Sequence, residues 1–211
     1  MRLNGTPHAI IDDMVKHHSV LDHLDTYIRI EFDIELEGGE EISSGIKVMH
    51  NPGHSPGSSS LYVPESSSIF TGDHILPGIT PNISFYDSST DMLGLYLNSL
   101  RETRSLNAKF VYPGHRDPFE NANTRIDQIM GHHERRINEI AGIARNWKSA
   151  YEIAESMKWS RDRTINTMNL MELNFAIGEA ISHLMHMEAE GLVERKIKDG
   201  KYLYRVTDSP D

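Results

Sequence analysis

Three short turn segments, each directly after a short apolar stretch, constrain this chain more than any other feature of its sequence. They run from Asn51 to Ser58, from Phe70 to His74 and from Tyr112 to His115. Each contains glycine, which lets the backbone turn sharply and approach an ion closely. Each also carries one side chain that ligates metals well, and the end of a strand holds such a ligand in a fixed position. The pattern predicts a metal site formed by His54, Asp73 and His115.

The composition limits which metals and partners this site can serve. The 211 residues include 12 histidines and no cysteine, so thiolate ligands are excluded. Two imidazoles and a carboxylate suit zinc, with manganese or iron as alternatives. The net charge of -10 disfavours nucleic acid as a partner. With no membrane-length apolar run and no signal-like start, we expect a cytoplasmic protein with a small-molecule substrate.

The three segments in this order resemble the metallo-β-lactamase superfamily. The matching stretches read PGHSPGS around His54, TGDH around Asp73 and PGH ending at His115. The stretch ITPNISFY from Ile79 to Tyr86 and the run from His132 to Arg136 sharpen the resemblance to β-lactamase-like hydrolases that carry a C-terminal winged helix. Glyoxalase II and β-lactamase-like ribonucleases are related to this branch.

The resemblance implies a fold, a cofactor and a role for each ligand. The fold would be an α+β, αββα sandwich, present here as its C-terminal portion, with two zinc ions at one edge of the sheets. By similarity His54 would bind the first ion and His115 the second, and Asp73 would bridge them as the catalytic carboxylate. A water acidified by both ions would attack an ester, thioester, lactam or phosphodiester.

The family's HxHxDH motif, which supplies the remaining ligands, has no clear counterpart. The nearest match, from His18 to His23, has Val20 in place of the second histidine and a helical context. We therefore expect that the chain lacks the family's N-terminal half, and that its own ligands bind metal weakly and leave it inactive or impaired. Uncovered sheet surface would favour self-association, so we also expect a homo-oligomer.

The pattern of apolar residues predicts the order of elements and two domains. Alternation predicts a strand over 27–36, and the spacing of apolar residues predicts a helix around 93–100 and a long one around 126–144. The metallo-β-lactamase-like domain is predicted to occupy residues 1–146 and a winged-helix domain residues 147–211. Short apolar runs predict four further strands, at 46–49, 60–63, 67–71 and 110–112, and the C-terminal part is predicted to hold helices around 151–157 and 177–185 and a hairpin turning at Asp199-Gly200.

The winged helix supports a second hypothesis, an interaction or DNA-binding module attached to a degenerate metal domain. Its hairpin carries a small basic patch, but residues 148–211 hold nine Lys or Arg against eleven Asp or Glu, a net charge of -2. We therefore favour a role in packing, dimerisation or covering the mouth of the active site. An iron-dependent oxidoreductase on the same fold is a third hypothesis. The patch consists of Arg195, Lys196, Lys198, Lys201 and Arg205.

Other histidines have alternative interpretations. His74 is expected to lie behind the ligands or to face substrate, and His50 to pack or hydrogen-bond behind the first turn. His132 and His133 lie in a helix and are expected to be packed or surface residues. His183 and His186 have a spacing that could grip a metal, but packing is the favoured interpretation. The segment from Asn82 to Tyr86 either lines the substrate mouth or is a packed loop.

Overall fold

The structure is a computed structural model that describes residues 1–17, 33–43, 45–83, 85, 87, 89–159 and 163–207. The nearest match to HxHxDH, at 18–23, lies outside the described residues. So do residues 27–32 of the predicted strand at 27–36, and its remaining residues, 33–36, form no strand. The helices are α1 (His8–Lys16), α2 (Met92–Ser105), α3 (Ala122–Ile143), α4 (Ala150–Ser156) and α5 (Leu170–Ala189).

The strands confirm the four predicted positions at 46–49, 60–63, 67–71 and 110–112 to within one residue at each end and add two short strands at Glu41 and Phe119. They are β1 (Glu41–Ile42), β2 (Ile46–His50), β3 (Ser59–Val63), β4 (Ser68–Gly72), β5 (Phe110–Pro113), β6 (Phe119–Glu120), β7 (Val193–Lys198) and β8 (Lys201–Val206). Two-residue strands have no alternation of polar and apolar residues to reveal them. For this reason sequence patterning missed both β1 and β6.

Within the described residues, β1 to β6 form one sheet in their order along the chain. All neighbours pair antiparallel except β4 and β5, which run parallel with Phe70 opposite Tyr112. Because β3 is antiparallel to both its neighbours, β2 runs in the same direction as β4 and β5. The three strands that precede the predicted ligands therefore end at the same edge of the sheet.

One face of the sheet packs against α2 and α3. Ile69 and Val111 point into this core, where they meet Leu93 and Leu100 of α2 and Ile129 of α3, all fully buried. On the opposite face, Phe70 and Tyr112 stack with ring centroids 4.8 Å apart, and both remain substantially exposed. The described residues contain no second large sheet against that face, so the complete αββα sandwich stays a prediction.

The C-terminal elements follow the predicted order of helix, helix and hairpin. Helices α4 and α5 each begin with a capping box, Ser149 with Glu152 and Asn169 with Glu172, which satisfies the first backbone N–H groups. The turn between β7 and β8 has positive φ at Asp199 and Gly200, as a tight hairpin requires. The order of elements is thus confirmed, while the assignment of a winged-helix domain stays a prediction.

Helix α5 lies at the centre of a second hydrophobic core. It contacts α1, α2, α3, α4 and β7. Residues on both sides of the predicted domain boundary at 146/147 share this core, with Ile140 of α3 and Ala144, just after that helix, beside Ile153 and Ile177. The boundary itself stays a prediction. Among the described helices, none combines the length and the apolar composition that a bilayer span requires.

Candidate metal site

The three predicted ligands meet at the common edge of the sheet, with Asp73 between the two histidines. Asp73 Oδ2 lies 3.6 Å from His54 Nε2, and Asp73 Oδ1 lies 3.4 Å from His115 Nε2. Each carboxylate oxygen therefore faces a different imidazole. This arrangement allows one carboxylate to be shared by two cations, each of which would have one of the imidazoles.

The ring of His54 is oriented by a backbone carbonyl. His54 Nδ1 lies 2.8 Å from the carbonyl oxygen of Asn82, which can only accept a hydrogen bond. Nδ1 therefore carries the proton, and in the neutral ring Nε2 carries the lone pair. The nitrogen that faces Asp73 is thus the one able to ligate a cation. The segment from Asn82 to Tyr86 is expected either to line the substrate mouth or to be a packed loop. The Asn82 carbonyl contacts a predicted ligand, and residues 84 and 86 of the segment lie outside the described residues.

The Asp73 carboxylate has an atom that suits a cation. Oδ1 is buried and accepts no hydrogen bond from the described part of the chain. A buried oxygen without a donor is costly, since it has lost its water and gained no hydrogen bond. Together with the nitrogen and oxygen donor set, this orphaned oxygen fits a metal ion.

The three predicted ligands are not arranged to surround one common ion. Among the residues that the structure describes, no group of three or more histidine, aspartate or glutamate side chains could hold one metal. The His115 side chain is 68% exposed and those of His54 and Asp73 about one third. The site is therefore open to solvent on the side of His115, where a substrate can approach.

His74, next to Asp73, does not face substrate. Its side chain is buried, and its Nε2 lies 3.1 Å from the hydroxyl of Thr103 on α2. Burial lowers the pKa of His74 to about 4, so the ring is neutral near pH 7. The expectation that it lies behind the ligands is confirmed, and the substrate-facing alternative is wrong because α2 covers the ring. His50 bonds through Nε2 to the carbonyl of Pro56, 2.9 Å away, as predicted.

The histidines of α3 and α5 form a packing network and, within the described residues, no second ligand group. His133 Nδ1 lies 3.1 Å from His183 Nε2, and both side chains are buried. His183 Nδ1 donates to the carbonyl of Glu179, so its Nε2 accepts from His133. His186 instead pairs with Asp91 at the start of α2, at 2.8 Å. The packed interpretation thus holds for His133 and His183.

An arginine of α3 holds the loop between β4 and α2 beside the site through hydrogen bonds. Arg125 Nε donates to the carbonyl of Leu76 at 2.7 Å, and Arg125 Nη2 donates to that of Ile79 at 2.6 Å. This loop also carries Asn82, whose carbonyl orients His54. Sequence reasoning did not single out Arg125, because its contacts are with backbone carbonyls of a loop more than 40 residues earlier in the chain.

The basic patch on the C-terminal hairpin is largely engaged with neighbouring side chains. Arg195 pairs with Glu188 at 3.0 Å, and Arg205 pairs with Glu194. Lys196 Nζ lies 3.8 Å from the centroid of the Trp147 ring. Helix α5, which precedes the hairpin, is buried in the core along most of its length. Three of the five basic side chains of the patch thus contact other side chains of the described chain.

Comparison with known proteins places the three ligand segments in a known family. The model of the Metallo-beta-lactamase superfamily matches residues 8–115, which include His54, Asp73 and His115. A Beta-lactamase-like protein 2 homolog of Caenorhabditis elegans is 28% identical over 118 residues, 56% of this chain and 36% of that protein. An atrochrysone carboxyl ACP thioesterase of Aspergillus aculeatus is 30% identical over 162 residues, 76% of this chain and 48% of that protein.

Two solved structures match nearly the whole chain. A Beta-lactamase domain protein from Burkholderia ambifaria superposes with a TM-score of 0.85 at 27% identity, covering 98% of this chain and 60% of its own. A metallo-beta-lactamase family protein from Thermus thermophilus gives 0.70 at 23% identity, covering 98% and 67%, and supports the fold alone. The chain spans about a third to a half of the length of the two curated relatives named above.

Proposed function

Because the chain belongs to the metallo-β-lactamase superfamily, we propose that it is a metal-dependent hydrolase with Asp73 as its ion-bridging carboxylate. The observation that carries this proposal is the position of Asp73, with one carboxylate oxygen toward His54 and the other toward His115. The orphaned state of Asp73 Oδ1 supports it, since a cation would supply the missing partner.

Zinc is the metal that this donor set suits, and manganese or iron are alternatives with the same ligands. His54 would hold one ion, His115 another, and Asp73 would contribute an oxygen to each. Such ions, when bound, supply an acidified water and polarise the attacked group. The described residues give each ion one imidazole and a share of one carboxylate. We therefore expect weak metal affinity and impaired turnover from these ligands alone.

Contacts within the chain orient His54 and Asp73 and leave the site accessible to a substrate. The Asn82 carbonyl keeps the proton of His54 on Nδ1, so that its lone pair stays directed at Asp73. The Asp73 carboxylate is held from behind by its turn, in which the backbone N–H of His74 donates to the carbonyl of Thr71. The exposed side of His115 leaves room for a substrate to reach the carboxylate.

A thioester is the substrate class we favour over other esters, lactams and phosphodiesters. The similarity to the ACP thioesterase of Aspergillus aculeatus extends over 76% of this chain. The net charge of -10 also disfavours polyanionic phosphodiesters. We also propose a cytoplasmic location.

The proposal is tested by thiol release from a short acyl thioester, with a lactam and a phosphodiester assayed in parallel. Each reaction is run with zinc, manganese or iron and after chelation. We expect slow, metal-dependent thiol release that Asp73→Ala abolishes. The matched control is Asp117→Ala, which removes an exposed carboxylate two residues beyond His115 and should leave the rate unchanged. Full activity in Asp73→Ala would refute the bridging role.

A further inference from the structure

The spacing of the strands makes the contact between His54 and Asp73 a geometric problem. The ends of β2 and β4 are separated by β3, which is two interstrand spacings or about 10 Å. Yet His54 Nε2 lies 3.6 Å from Asp73 Oδ2. The segment after β2 must therefore bend across the start of β3, and contacts outside the sheet must hold it there.

Helix α2 supplies these contacts, beginning with Tyr96. Its buried hydroxyl donates to the carbonyl of His74 at 2.8 Å, immediately after Asp73. Its backbone and Cβ lie directly against Gly53, immediately before His54: a Cβ on residue 53 would come within 2.3 Å of Tyr96 Cβ. One side chain of α2 thus touches the neighbours of both ligands.

Ser99 and Thr103 continue this row one and two turns further along α2. Ser99 Oγ donates to the carbonyl of Pro52 at 2.9 Å. The Thr103 hydroxyl donates to the carbonyl of Ser99, so it accepts from His74 Nε2 at 3.1 Å and from Asn51 Nδ2 at 3.3 Å. Its single hydroxyl therefore joins the segment before His54 to the residue after Asp73.

We propose that Tyr96, Ser99 and Thr103 are positioning residues that set the distance between His54 and Asp73 and thereby the affinity of the site for a divalent cation. The sheet alone positions His115, because β4 and β5 are neighbours and the Gly114 N–H donates to the carbonyl of Gly72 at 2.7 Å. The inference rests on the proposed function, since it concerns the same metal site.

The hydroxyl groups of Ser99 and Thr103 are unusual at their positions on α2. Ser99 and Thr103 are buried, at spacings where a helix packed on a sheet usually presents apolar side chains. Replacing Thr103 by valine keeps the shape but leaves the donors of His74 and Asn51 buried without an acceptor. Such donors are relieved most readily if their segments move apart. Replacing Thr103 by serine keeps the acceptor.

The test compares Thr103→Val, Thr103→Ser and Tyr96→Phe with Ser105→Ala, an exposed serine on the same helix, as the control. Cobalt(II) binding is followed by calorimetry and by the visible spectrum of the bound ion. We expect Thr103→Val and Tyr96→Phe to weaken cobalt binding by about 10-fold or more and to change the spectrum. Removing a group that orients a metal ligand typically has an effect of this size in metalloproteins. Thr103→Ser and Ser105→Ala should match the wild type.

A second measurement does not depend on metal. In crystals of metal-free Thr103→Val, we expect the distance from His54 Nε2 to Asp73 Oδ2 to exceed the wild-type distance by an ångström or more. If the wild type binds no cobalt, the proposed function fails, and this distance alone decides the positioning role. An unchanged distance in Thr103→Val, or unchanged cobalt affinity beside a wild type that binds, would overturn the inference.

Discussion

Gly114 lies against the carboxylate of Asp73 so closely that a Cβ on residue 114 would come within 2.9 Å of Asp73 Oδ1. The same Cβ would come within 3.0 Å of the backbone of Gly72. The φ angle of Gly114 is not positive, so space and not backbone conformation requires a glycine here. The third turn segment therefore contributes to the site through a missing side chain as well as through His115.

Substituting Gly114 by alanine should disrupt the site and leave most of the fold intact. The new methyl group must push Asp73 or the β5 turn aside, so we expect zinc affinity to fall by about 10-fold or more. Isothermal titration calorimetry measures the change. Gly142→Ala is the control, because a Cβ there meets nothing within 4 Å and lies in a helix, where alanine is favoured. Equal zinc affinity in the two variants would contradict the expectation.

Substituting Gly53 by alanine should destabilise the protein strongly. Gly53 has a φ of +144°, and a Cβ there would overlap Tyr96. Backbone strain and overpacking together should lower the free energy of unfolding by about 3 kcal/mol or more. Gly39→Ala is the matched control, with φ of +94° but open space around its Cβ, and should cost about 1–2 kcal/mol. Equal losses in urea unfolding would show that the contact with Tyr96 is unimportant.

Acidification should destabilise the protein through the buried histidine pair of α3 and α5. Burial and the neighbouring His183 lower the pKa of His133 from 6.5 to about 2, and burial also lowers the pKa of His183. Of the other groups around them, Glu179 raises the pKa of His133, whereas His132 and His186 lower it. Since the native state binds fewer protons than the unfolded chain, stability is fully present above pH 6.5 and is lost as the pH falls below it.

The variant His133→Leu isolates this effect. Below about pH 6.5 each such histidine adds up to about 1.4 kcal/mol per pH unit to the slope of stability against pH. We expect His133→Leu to have a shallower slope between about pH 6.5 and about pH 4 than the wild type, whatever its stability at higher pH. Urea unfolding at several pH values provides the measurement. Parallel slopes for the two proteins would show that His133 does not titrate on unfolding.

The convergence of the three predicted ligands and the positions of most elements could be predicted from the sequence because their signals are local. His54, Asp73 and His115 each follow a strand in a turn with glycine or proline, and strand direction then brings the three turns to one edge. The hairpin at Asp199-Gly200 likewise follows from its own turn residues.

The supporting residues could not be predicted, because their roles depend on tertiary contacts. Tyr96 lies on the buried face of α2, and nothing near it in sequence indicates that its hydroxyl meets His74. Ser99 and Thr103 gave the one usable signal, two polar residues on a helix face that is otherwise apolar. The carbonyl of Asn82 is a backbone group, so no residue type reveals its contact with His54.

The exposed aromatic pair on the sheet should promote self-association. Phe70 and Tyr112 are 46% and 39% exposed and stack on each other on the face away from α2 and α3. We expect sedimentation velocity to show oligomers that Phe70→Lys with Tyr112→Lys converts to monomers. Met171→Lys with Phe175→Lys, on the exposed side of α5, is the control and should leave the oligomers intact. Oligomers that survive the first pair of changes would place the contact elsewhere.

The C-terminal hairpin should not bind DNA. Its arginines are paired with glutamates, and the whole chain carries a net charge of -10. We expect no retardation of duplex DNA in a gel even at low salt, where electrostatic binding is strongest. A salt-sensitive shift that Lys198→Glu with Lys201→Glu abolishes would instead support the hypothesis of a DNA-binding module.

Zinc-edge anomalous diffraction from crystals grown with zinc tests most directly whether Asp73, His54 and His115 form a metal site. We predict an anomalous peak about 2.0–2.2 Å from a carboxylate oxygen of Asp73 and a nitrogen of His54 or His115, absent from crystals of Asp73→Ala. Peaks found only away from these three side chains, or a peak at the two histidines that Asp73→Ala leaves unchanged, would contradict the assignment of Asp73 as the shared ligand.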